Sequence, residues 1–114
     1  MKKKTKTTFI IMKPSYVSIK KSTNKTKKLM AIFYDKDMNK IKTIHFGAIG
    51  YSDYTLHMEP KRKERYIARH SKNNQDWTDP MTAGTLSRYV LWNKTTIEAS
   101  IKDYVKRFHL KLLK

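Results

Sequence analysis

The apolar residues of this chain change period once, near residue 47, and that switch limits the folds open to it. Before it, Tyr16-Val17-Ser18-Ile19-Lys20 alternates as a strand does. Leu29 to Tyr34 is a short run of strand formers, and Ile41 to Phe46 resumes the pattern. Polar turn material separates the runs, Lys21 to Lys28 around Asn24 and then Asp35 to Asn39. Gly47 and Gly50 break the third strand. Beyond them the spacing is helical. Glu59 to His70 reads as a helix with Pro60 in its first turn, and Ser71 to Gln75 as a polar loop. Thr78-Asp79-Pro80 reads as an N-cap with Pro at N1, opening a second helix that runs to Trp92. Thr95 or Thr96 caps a third. Its Ile97, Ile101, Tyr104, Val105, Phe108 and Leu112 form a core-facing stripe. Strands first and helices after predict an α+β fold: an N-terminal three-stranded antiparallel meander followed by three helices packed on one face.

At 114 residues the chain supports one domain and one small core. Residues 1–14 read as a flexible basic N-terminal arm, within which Phe9 to Met12 can form a short strand stopped by Pro14. Residues 15–114 read as a single compact α+β domain. No apolar run approaches the roughly 20 residues of a membrane span, and Phe9 to Met12 is far shorter than a signal-peptide core. With no Cys, disulfides and thiolate zinc sites are excluded, which fits a reducing compartment.

Charge is the second constraint. The chain holds 26 Lys and Arg against 9 Asp and Glu, a net charge of +17. Residues 1–40 carry 12 basic and 2 acidic residues, all the basic ones Lys; residues 41–114 carry 14 basic and 7 acidic, including all five Arg. Lysine is a hydrated point charge, whereas arginine presents a planar fork suited to phosphate. Such an imbalance repels itself in a compact monomer, and a polyanion relieves it. On a helix over 59–72, Arg62, Arg65, Arg69 and Lys72 are spaced 3, 4 and 3 and share a face. Tyr66, Ile67 and His70 lie on another face, able to pack on the sheet. A cationic helix face supplies phosphate-backbone contacts, which give affinity and salt dependence without sequence information.

The remaining constellations are weaker. Gly47 to Thr55 can let a phosphate approach backbone, and Tyr51 and Tyr54 can stack on bases, yet no GxGxxG or GxxxxGK[ST] pattern occurs. Asp53 and Thr55 are also ordinary turn and capping residues. His45, His57 and His70 with Asp53, Glu59 and Glu64 bring imidazole and carboxylate together, but at no metal-ligand spacing. Trp92, Leu86 and Tyr89 read as core, and Trp77 as a staple before the cap. Arg88 reads either as a buried partner for Asp53 or Asp79 or as a phosphate ligand.

VSIKKST (17–23), KTIHFGAIGYSDYT (42–55), RKERYIARH (62–70) and DPMTAGTLSRYVLWNKTTIEASIKDYVKRF (79–108) together resemble a family of small basic proteins of unknown function. That family is found in giant viruses, the large DNA viruses of algae and protists. The resemblance spans roughly residues 15–110. It implies a virus replicating inside a eukaryotic cell, and thus a virion or a viral factory in host cytoplasm or nucleus, not secretion. It implies no mechanism.

The leading expectation is a non-enzymatic, largely sequence-independent DNA-binding protein that needs no cofactor or metal. Arg62, Arg65, Arg69, Lys72 and Arg88 would contact phosphate, aided by Lys20, Lys21, Lys27, Lys28 and the Lys-rich arm, with Tyr51 and Tyr54 as stacking rings. The alternative is a minor virion or interaction protein that docks on acidic proteins through Tyr51, Tyr54 and Trp77. A metal-dependent nuclease at His57, Asp53 and His70 is a third possibility.

Overall fold

In the structure, a computed structural model describing residues 13–72 and 77–113, the alternating segments form three strands. These are β1 (Tyr16–Lys21), β2 (Lys27–Tyr34) and β3 (Lys40–Ala48), each antiparallel to the next. The turns have local causes. Asn24 Oδ1 accepts from the backbone and hydroxyl of Thr26. Asp35 Oδ1 accepts from the amides of Asp37 and Asn39, and Met38 takes the left-handed conformation between them at φ 65°. The register sets Val17 opposite Phe33 and Ile19 opposite Ala31, then Leu29 opposite Phe46 and Ala31 opposite Ile44. Alternation therefore collects these side chains on one face, and the helices cover it.

Four helical segments follow the meander: α1 (Tyr54–His57), α2 (Pro60–Lys72), α3 (Ala83–Leu86) and α4 (Ile97–Arg107). Leu86, Val90, Leu91 and Tyr104 pack with Val17, Ala31, Phe33 and Phe46 in the core. Each Leu, Val or Phe among them contributes roughly 1.5–3 kcal/mol by its burial. Tyr104 is fully buried, and its hydroxyl donates to Pro80 O at 2.7 Å, anchoring the segment before α3.

Several boundaries differ from expectation. The one-turn α1, a helix not expected between Gly50 and Glu59, forms because Asp53 Oδ1 accepts from Thr55 N at 2.9 Å and caps it. The second long helix starts at Ala83, not after Asp79. Asp79 Oδ1 is taken by Met81 N, while Thr82 Oγ1 accepts from Thr85 N and is the true cap. That helix then widens into a π-helical stretch, Ser87–Leu91, closed by Trp92 N donating to Ser87 O. Thr96 caps α4 by accepting from Ala99 N, one of the two caps expected.

Leu112 is not part of the helical stripe. Phe108 ends α4, His109 turns left-handed at φ 55°, and the chain leaves the helix axis. Leu110 is buried in its place. Lys111–Leu112 forms a fourth strand, β4, parallel to β1, giving the sheet order β3-β2-β1-β4. Lys111 N donates to Ser15 O and Leu113 N to Val17 O. The short strand expected at Phe9 to Met12, and nearly all of the 1–14 arm, lie outside the described residues. Among the described residues no helix is long and apolar enough to cross a membrane.

Candidate functional site

The helix α2 buries no residue, so little hydrophobic burial holds it. Its attachment is aromatic. Tyr66 lies parallel to Trp92 with centroids 4.2 Å apart, and His70 stacks on Tyr66 at 4.0 Å. His57 of α1 meets Trp92 at 5.3 Å, and Tyr54 meets His57 edge-on. A column of rings thus runs from α1 through Trp92 to the end of α2. Burial raises the Tyr66 phenol above its ordinary range. Lys63 adds a polar tether: its Nζ donates to Asn93 O at 2.7 Å and sits over the Tyr54 ring. Burial, then the Arg88 and Lys94 cations, push the Lys63 ammonium below its usual range. Tyr66 therefore packs on Trp92, and His70 on Tyr66, where packing on the sheet was expected, because the π-helical stretch brings that indole between α1 and α2.

With that side committed, the opposite side of α2 faces outward. Arg65, Arg69 and Lys72 are exposed, with no ion-pair partner among the described residues. Arg62 lies 3.7 Å from Glu59 in a partly exposed pair, worth at most about 1 kcal/mol.

The other basic residues fall into three environments. Lys20 and Lys21 are exposed near the end of β1. Lys27 is half-buried at the start of β2 beside Ala48 of β3. Lys28 is committed: its Nζ donates to Asp53 Oδ2 and to Tyr51 O, both at 2.6 Å. The side chains of that pair are 19% and 3% exposed, so it clamps the 51–53 loop onto the sheet. Asp53 therefore pairs with Lys28 and not with Arg88.

Arg88 is half-buried and contacts neither Asp53 nor Asp79. Its Nη1 donates to Trp92 O at 3.2 Å, and its guanidinium lies over Tyr89 and Trp77. Its Nε is buried without a hydrogen-bond partner among the described residues. Burial draws its pKa down, although a guanidinium stays charged at neutral pH. This setting is a packed one, unlike that of the α2 arginines.

Tyr54 is half-buried under Lys63, whereas Tyr51 is 73% exposed. The structure brings Lys27, Lys28, Tyr51 and Arg69 to the wall of one cleft of about 450 Å³, between the sheet end, the 51–53 loop and α2. Small residues, Gly47, Ala48, Ala83 and Gly84, line part of it. Lys20, Lys21 and Lys72 do not reach it.

The histidines disperse. His45 Nδ1 hydrogen-bonds Ser22 Oγ, His57 Nδ1 accepts from Glu59 N, and His70 Nδ1 donates to Tyr66 O. Among the described residues no group of three His, Cys, Asp or Glu is placed to hold a metal ion. The functional roles of Trp92 and Lys63 as supports for α2 are invisible in the sequence, because their partners lie about 30 residues away along the chain.

Residues 17–70 match a family of unknown function (DUF5754). The match covers the meander, α1 and most of α2, and so includes Lys20 to Lys28, Tyr51, Tyr54 and the three α2 arginines, but neither Lys72 nor Arg88. No curated protein and no solved structure gives a match.

Proposed function

We propose that the chain is a non-enzymatic nucleic-acid-binding protein that grips the phosphate backbone, of duplex DNA in the first instance, largely without regard to sequence. One observation carries this reading: α2 is fastened by one side and leaves Arg62, Arg65 and Lys72 turned away from it, with Arg69 exposed at the edge of the cleft, three of the four without an anionic partner among the described residues. Arginine forks suit phosphate oxygens, and of these residues only Arg62 has a carboxylate partner, Glu59, among the described residues. Lys20, Lys21 and Lys27 extend the positive surface along the sheet end. A setting in a virion or viral factory rests on the family resemblance alone. Neutralising Arg62, Arg65 and Arg69 to Gln is expected to weaken duplex binding and to flatten the slope of log K against log salt by about 2 to 3. Anisotropy titrations measure both, and an unchanged slope would remove α2 as the site.

A second reading is favoured by the exposed apolar residues Ile49, Leu56 and Met58 around the same loop. They suit docking on an acidic protein partner. A complex with such a partner that survives high salt, alongside weak DNA binding, would select it.

A further inference from the structure

The cleft beneath Tyr51 differs from the α2 face in shape and in chemistry. Its volume of about 450 Å³ is that of a small-ligand site. A duplex, whose major groove alone is about 12 Å wide, is far too wide to enter. Its charges are unequal in availability. Asp53 is its carboxylate, and it is spent on Lys28 and on capping α1. Lys27, from β2, and Arg69, from α2, have no ion-pair partner among the described residues.

Its rings are unequal too. Tyr66 also lines the cleft, but Trp92 and His70 stack on it at 4.2 and 4.0 Å and must cover opposite faces. Tyr51 has no ring neighbour among the described residues and is 73% exposed. Yet its backbone is held. Lys28 Nζ grips its carbonyl, its amide donates to Ala48 O, and Gly50 supplies the φ of +94° that turns the chain there. An open ring on a pinned loop, flanked by two uncommitted cations, is the arrangement that stacks a base and holds its phosphates. A paired base cannot offer its face.

We propose that this cleft receives one unpaired nucleotide of a single-stranded nucleic acid, the base stacked on Tyr51 and the flanking phosphates on Lys27 and Arg69. The inference rests on the backbone-binding reading of α2 and adds a preference for strand breaks, ends or unwound tracts to it.

The test uses the full chain, a labelled oligothymidylate of about 16 nucleotides and a duplex of equal length. Tyr51→Ala changes an exposed side chain, and circular dichroism checks that the fold persists. It is expected to weaken single-strand binding about tenfold, the loss of one stacked base, and duplex binding less than twofold. Lys27→Gln with Arg69→Gln is expected to reduce the single-strand salt slope by about 1.4. For Tyr51→Ala, equal losses on both nucleic acids, or no loss on the single strand, would overturn the cleft while leaving the α2 reading intact; so would an unchanged single-strand salt slope in the Lys27 and Arg69 double variant. Failure of the unsubstituted chain to bind either would overturn both. Thymidine monophosphate competing as well as the oligomer would assign the cleft to free nucleotides and overturn the single-strand proposal.

Discussion

Asp53 meets two demands at once, as the cap of α1 and as the counter-ion of Lys28. Replacing it by Ala leaves a largely buried ammonium unpaired and uncaps α1. The expected cost is about 3 kcal/mol, the lower end for a broken buried pair because Lys28 keeps some solvent. Chemical denaturation measures it. The two glycines beside this clamp separate strain from space. Both have positive φ, +80° at Gly47 and +94° at Gly50. A Cβ on Gly47 would stand 2.7 Å from Leu91 Cδ1, a core atom, whereas one on Gly50 meets nothing within 4 Å. Gly50→Ala is expected to cost about 1 kcal/mol of backbone strain. Gly47→Ala adds core overpacking and should cost about 2 to 4 kcal/mol. Equal losses in parallel melts would contradict the close approach of Leu91, at the end of the π-helical stretch, to the sheet.

At the scale of elements, α2 depends on Trp92. Trp92→Ala removes the ring that joins His57 to Tyr66 and is expected to cost about 3 kcal/mol. Hydrogen exchange should show α2 amides losing protection while β1 to β3 keep theirs. The junction before α4 carries a pH dependence. Asn93 Nδ2 donates to Asp103 Oδ2 at 2.7 Å, and with help from Arg107 this holds the carboxyl below its ordinary range. A lowered folded pKa means stability that is complete above the unfolded value, about 3.9, and lost as pH falls through the folded one. Asp103→Asn should therefore flatten the stability profile below about pH 4 and leave its shape at neutral pH unchanged. Elements built on local rules were legible in the sequence. Alternation located β1, runs of strand formers located β2 and β3, and a threonine cap at 95 or 96 with the Ile97, Ile101 and Tyr104 stripe located α4. Elements decided by competition were not. Thr82 displaced Asp79 as a cap, and β4 exists only because β1 offers it an edge.

For the molecule as a whole, a charge of +17 in 114 residues makes association with polyanions unavoidable at low salt. Binding there says little, and the place of the binding says much. The sequence spacing alone put Arg62, Arg65, Arg69 and Lys72 on one side of α2. It did not show that the other side would be fastened by stacked rings, nor that Arg69 would line one cleft with Lys27 and Tyr51. Those relations join segments far apart in the chain. The most direct measurement is duplex affinity by fluorescence anisotropy across about 50 to 300 mM salt, with residues 1–14 present and deleted. A site on the folded α2 face requires that the shortened chain still bind near physiological salt, with a slope matching three or four phosphate contacts. Binding that disappears with the first 14 residues, or that is gone by about 150 mM salt, would contradict it.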